Sequence, residues 1–126
     1  MNVLICRNTY SINVEKIMGV WELYSIAYFR DWDYVSSELC NECPALEFRP
    51  DRTGRVIHCA IEKDTFTWKE FGDSIKIKFS NGFFFGEKEC SFYVDFSGED
   101  ELFLREQKGE YVVKYNYGRI QTKKKW

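Results

Sequence analysis

Along most of this chain apolar and polar residues alternate with a period of two, the spacing that sends successive side chains to opposite faces of a β-strand. The clearest run is "SIKIKF", where Ile75, Ile77 and Phe79 share one face and Lys76 and Lys78 the other. By the same rule Phe92, Val94 and Phe96 face inward opposite Asp95, and Leu102 and Leu104 face inward opposite Arg105. Trp21 with Leu23, Leu46 with Phe48, Ile57 with Ile61, Phe66 with Trp68, and Tyr111 with Val113 and Tyr115 complete the expected inner face. Turn residues separate the runs: "PDRTG", "EKD", the Gly72-Asp73 pair, "SGED" and "QKGE". Ahead of them "SINVEKI" reads as one helical turn capped by Ser11. The pattern predicts an all-β fold, an antiparallel up-and-down β-barrel of about eight strands with a short N-terminal helical turn. Closure removes the exposed edges that an open sheet of this length would carry.

Connection lengths orient that barrel. In an up-and-down arrangement successive connections alternate between the two rims. The long ones, "RDWDYVSSELCNE" after the first strand and "NGFFFGEKE" after the fifth, therefore share a rim. The short ones of opposite parity close the other end. Three consecutive phenylalanines, Phe83, Phe84 and Phe85, cannot all be buried by one strand face, so they are expected at the rim as a portal or a plug.

Length and composition narrow the function. A chain of 126 residues is read as one domain, with a barrel core over 19–117 and a basic tail over 119–126. Aromatic residues make up 18%, which implies a folded interior rich in rings. Lys and Arg number 18 against 20 Asp and Glu, a balance that argues against nucleic acid as a partner. No run approaches the length of a transmembrane helix. "MNVLIC" lacks the basic leader and the length of a secretory signal, so a cytoplasmic setting with reduced thiols is expected. A secreted or lipid-anchored protein would follow if a signal lies upstream. A monomer or weak homodimer is anticipated.

No constellation of catalytic residues emerges. "CNEC", from Cys40 to Cys43, has metal or redox spacing, but His58 and Cys59 leave a strand on opposite faces and only one local ligand pair exists. No metal and no cofactor is expected. Glu22, Glu47, Asp95 and His58 are all placed outward, which leaves no acid–base pair inside a cleft. The chain is read as non-enzymatic.

The motif Gly19-Val20-Trp21, following a helical turn and opening the first strand, resembles that of the lipocalin-like branch of the calycins. "LEFRPDRTG", "FTWKEFGDSI" and "YVVKYN" are similar to that family's second strand, its fourth and fifth strands, and its last strand. The resemblance implies that Trp21 packs across the closed end of the barrel and that a basic residue near the last strand, Arg119, stacks on it. It also implies binding or carriage of a small hydrophobic molecule inside the barrel. The interior candidates are Leu23, Phe48, Ile57, Ile61, Phe66, Trp68, Phe79, Phe92, Val94 and Tyr115, with tyrosine hydroxyls orienting a polar end. The chain lacks the inward Arg-x-Tyr pair with which fatty-acid-binding relatives hold carboxylates. A filled barrel acting as a protein-interaction module through its open-end loops is the alternative, and a calycin-like enzyme the third reading.

Overall fold

A computed structural model describes residues 12–120. The tail beyond 120 and Ser11 lie outside them. One helical turn, α1 (Val14–Ile17), precedes nine strands: β1 (Gly19–Arg30), β2 (Asp33–Leu39), β3 (Ala45–Phe48), β4 (Thr53–His58), β5 (Ile61–Phe71), β6 (Ser74–Phe79), β7 (Glu89–Ser97), β8 (Glu101–Lys108) and β9 (Tyr111–Arg119). Asn13 caps α1, its Oδ1 accepting from the Glu15 and Lys16 amides at 3.1 and 3.3 Å. The strands pair antiparallel in the order β2-β1-β3-β4-β5-β6-β7-β8-β9, and β1 pairs again with β9. That last pairing closes eight of them into a barrel.

β2 is the strand that alternation misses, and it occupies the expected long first loop. Every residue of β2 is exposed, so it carries no buried face to reveal it. Asp31 and Trp32 take positive φ of 53° and 70°, and this two-residue turn folds β2 back on the upper half of β1. β3 pairs with the lower half of β1, from Gly19 against Phe48 to Glu22 against Ala45. β2 is therefore a flap continuing the wall above β3.

The second departure is in β4. The turn expected at "EKD" sits earlier, at Cys59 and Ala60, where φ is 54° and 64°. Moving the turn changes the phase of everything near it. Ile61 becomes the exposed first residue of β5, and Ile57 shares the outward parity of Arg55, leaving Val56 and Gly54 as the buried residues of β4. Ile57 and Ile61 are thus not interior positions. Nothing in the residue types announces this turn, because both occupants of the left-handed region are non-glycine. Tyr111 is half-buried at the start of β9, and the inner face there is Val113, Tyr115 and Tyr117.

The connections sort as their lengths imply. Turns at 49–52, 72–73 and 98–100 close one end beside α1, and the β2–β3 connection and the 80–88 loop cover the other. Ile12 seals the closed end further, its amide donating to the Gly72 carbonyl at 2.9 Å. One continuous apolar core fills the barrel, with Trp21, Phe48, Trp68 and Tyr117 toward the closed end and Phe79, Phe92 and Tyr115 nearer the mouth. Each fully buried large side chain contributes on the order of 1.5–3 kcal/mol.

Candidate functional site

The closed end is a structural device. Trp21 is fully buried, and its indole Nε1 donates to the Ile17 carbonyl at 2.9 Å, tying α1 to the barrel floor. Arg119 lies over the indole at 4.2 Å. Its guanidinium donates to the carbonyls of Lys16, Met18 and Glu99 at 2.8–2.9 Å, so it also caps the helical turn. Gly19 has φ +112°, and a Cβ there would stand 3.0 Å from Arg119 Nη1. Both the backbone and the approach of the guanidinium require glycine. β9 runs past residue 117 to Arg119, which therefore belongs to the barrel rather than to a tail.

The open end is built by two loops. Asp64, on the inward parity of β5, is 4% exposed and receives four hydrogen bonds. Its Oδ1 accepts from the Thr65 amide (2.9 Å), the Asn81 amide (2.9 Å) and Asn81 Nδ2 (3.2 Å), and its Oδ2 from the Phe83 amide (3.1 Å). Burial pushes this carboxyl up, but the amides of Phe83, Asn81 and Thr65 more than offset it and hold its pKa below the ordinary value. Asp64 thereby anchors the loop that carries the three phenylalanines.

Those phenylalanines take three different places. Phe83 is exposed at the rim against the His58 ring at 6.2 Å. Phe84 packs edge-on against Phe85 at 4.9 Å. Phe85 enters the barrel mouth, its ring 5.3 Å from Phe79, 5.3 Å from Phe92 and 5.2 Å from Tyr115. A loop residue thus fills the top of the interior.

The second loop contains a disulfide, Cys40–Cys43, which packs against the same core. This corrects the expectation of reduced thiols there. Oxidation closes a ring of four residues and holds the loop over the mouth. His58 is half-buried rather than solvated and donates from Nε2 to the Glu42 carbonyl at 2.7 Å. Cys59 is an exposed free thiol and Cys90 a buried one. Among the described residues no three His, Cys, Asp or Glu side chains gather as a metal site.

Eight interior candidates stand in the core: Leu23, Phe48, Phe66, Trp68, Phe79, Phe92, Val94 and Tyr115. Gly54 makes room for one of them, since a Cβ there would collide with the Phe66 ring and the Glu47 carbonyl. One inner-face residue beside them is polar. Glu106 follows Leu102 and Leu104 on the inner parity of β8, and its side chain is only 10% exposed. Extending the β8 alternation by one step would have found it. Glu106 Oε2 accepts from the Tyr115 hydroxyl at 2.6 Å. Burial first, and the Glu106 hydrogen bond and charge second, push the Tyr115 phenol far above its ordinary pKa. Burial, with the charges of Glu106 and Glu87, pushes the Cys90 thiol up to about 11. At the mouth the rings of Phe79, Phe85, Phe92 and Tyr115 pack together, with the Glu106 carboxylate bonded to Tyr115 and the Asp64 carboxylate under the loop.

Outside the barrel, a groove of about 450 Å³ runs between the β1–β2 turn and the outer wall of β7, β8 and β9, and Trp32, Phe29 and Phe103 border it. Arg105 and Asp95 pair along it at 3.0 Å. Among the described residues no helix is long and apolar enough to cross a membrane.

The chain is similar in fold to an uncharacterized protein from Bacteroides eggerthii, known from a crystal structure at 2.60 Å resolution. The two share 15% sequence identity with a TM-score of 0.58, over 82% of this chain and 99% of that one. No protein-family model matches the chain, and no curated protein matches it in sequence. The comparison thus agrees with the geometry on one point, the antiparallel eight-stranded barrel.

Proposed function

We propose that this protein is a lipocalin-like binder that takes up a small, ring-bearing apolar molecule at the barrel mouth, without catalysis. One observation carries the reading: the side chain filling the top of the interior, Phe85, comes from the 80–88 loop and not from a strand. A strand residue cannot leave without breaking the ladder. A loop residue can, and the ring-sized space it vacates among Phe79, Phe92 and Tyr115 suits another ring. Phe85 then serves as the internal stand-in for the ligand, and ligand entry costs the free energy of displacing it.

A neutral apolar dye such as Nile red tests this. Saturable fluorescence enhancement is expected in the parent protein and tighter uptake in Phe85→Ala, where the competitor is gone. Absence of saturable uptake in both would retire the reading.

A second reading has its own observation. Trp32, Tyr34, Val35 and Leu39 are exposed together on the β1–β2 hairpin, which suits a protein-interaction module at the open end. A filled mouth favours this module if Phe85 never yields.

A further inference from the structure

We infer that the mouth, read as a ligand site, selects a molecule whose ring carries a positively charged amine, and rejects one ending in a carboxylate. The inference rests on the binding reading above and adds the identity of the head group. Phe85 marks where a ring sits, and the Tyr115 ring, 5.2 Å from it, links that place to Glu106 through a 2.6 Å hydrogen bond. Only one Glu106 oxygen is used there. Oε2 takes the phenol and faces Lys108 Nζ at 3.9 Å, whereas Oε1 accepts no hydrogen bond among the described residues. An ammonium group on a ring seated in place of Phe85 can take that oxygen in a charge-assisted hydrogen bond, roughly twice as strong as a neutral one.

The basic groups around the barrel interior do not offer an anion the same welcome. Arg119 is at the floor, occupied with three carbonyls. Arg52 is also at the closed end, donating to both Glu70 oxygens at 3.0 and 2.7 Å. At the mouth Lys108 faces Glu106 with its side chain 42% exposed, and Lys88 on the 80–88 loop is exposed to water. The flexible stem of Lys108 lets its charge turn to water when a second cation arrives. A carboxylate would instead meet Glu106 across a partly dry space, where like charges repel more strongly than in bulk water.

Three probes of one shape separate the possibilities: ethylbenzene, 2-phenylethylamine and 3-phenylpropanoate, titrated by calorimetry into the parent, Phe85→Ala and Glu106→Gln. Glutamine keeps an acceptor for Tyr115, so the fold is preserved. The amine is expected to bind at least about tenfold tighter than ethylbenzene in the parent, from the worth of one hydrogen bond to a charged group. That advantage should vanish in Glu106→Gln, and the carboxylate should bind more weakly than ethylbenzene. If the three probes bind equally, or if the amine's advantage survives Glu106→Gln, the head-group inference fails while the binding reading stands. Tighter binding of the carboxylate would overturn the inference in favour of Lys108. If no probe binds parent or Phe85→Ala, both readings fall together.

Discussion

Replacing Asp64 with alanine should release the loop that carries Phe85. The substitution removes the acceptor of four hydrogen bonds, three of them from backbone amides. A hydrogen bond to a charged group contributes about 1.5–3 kcal/mol, but the Asn81 and Phe83 amides lie near solvent and regain water once the loop lifts. Two bonds' worth is then the expected loss, about 3–6 kcal/mol. At this chain length each kcal/mol moves the melting temperature by roughly 4 °C, so a drop of about 12–24 °C is expected. Amide exchange at Phe83 and Asn81 should accelerate well beyond that of β6 and β7. The pH dependence carries a sign as well. The folded carboxyl has its pKa below the ordinary value, so the unfolded chain binds the proton first as pH falls. The stabilisation is whole above the ordinary carboxyl pKa, near about 4, and is lost as pH drops toward the folded value. Asp64→Asn should therefore melt less steeply with acid than the parent. An unchanged melting temperature in Asp64→Ala, with slow exchange at Phe83, would refute the anchoring role.

Trp21→Ala should cost about 3–5 kcal/mol as a buried aromatic truncation, read as a large fall in the denaturant midpoint with little change in probe affinity. Gly19→Ala should destabilise the fold by about 1–3 kcal/mol through the positive φ and the crowding of Arg119, and circular dichroism melts would register it. Reducing the Cys40–Cys43 disulfide, or replacing both cysteines with serine, should cost no more than about 2 kcal/mol because the loop it closes is so short. Thermal melts with and without reductant check this, and a collapse of the fold would contradict it.

The barrel was readable because most strands have one wet face. In β6 alternation assigns every buried residue, in β7 it places Phe92 and Val94 in the core but Phe96 is only half-buried, and the parity of the loops places the tight turns beside α1. Reading failed where burial leaves no periodic mark. β2 is exposed throughout, so its β-character comes from backbone pairing with β1 alone. The turn at Cys59 and Ala60 uses residues that seldom adopt positive φ, and it carried Ile57 and Ile61 out of phase. In β1 the register shifts between Leu23 and Ser25, which transfers the inner face to Ile26 and Tyr28. Asp64 and Glu106 escaped for a different reason: polar residues on inner rungs look like turn or surface residues until their partners are known. Those partners, the amides of the 80–88 loop and the Tyr115 hydroxyl, are distant in sequence.

Whether the place held by Phe85 can be given up to a ligand decides between a binder and a filled barrel. The most direct measurement is isotope-edited nuclear Overhauser spectroscopy of the labelled protein with unlabelled ethylbenzene. Contacts from the probe to Phe79, Phe92 and Tyr115, with loss of the Phe85 contacts to those same rings, are the predicted result. Phe85 contacts that persist unchanged at saturating probe, with probe signals confined to Trp32 and its neighbours on the outer wall, would contradict it.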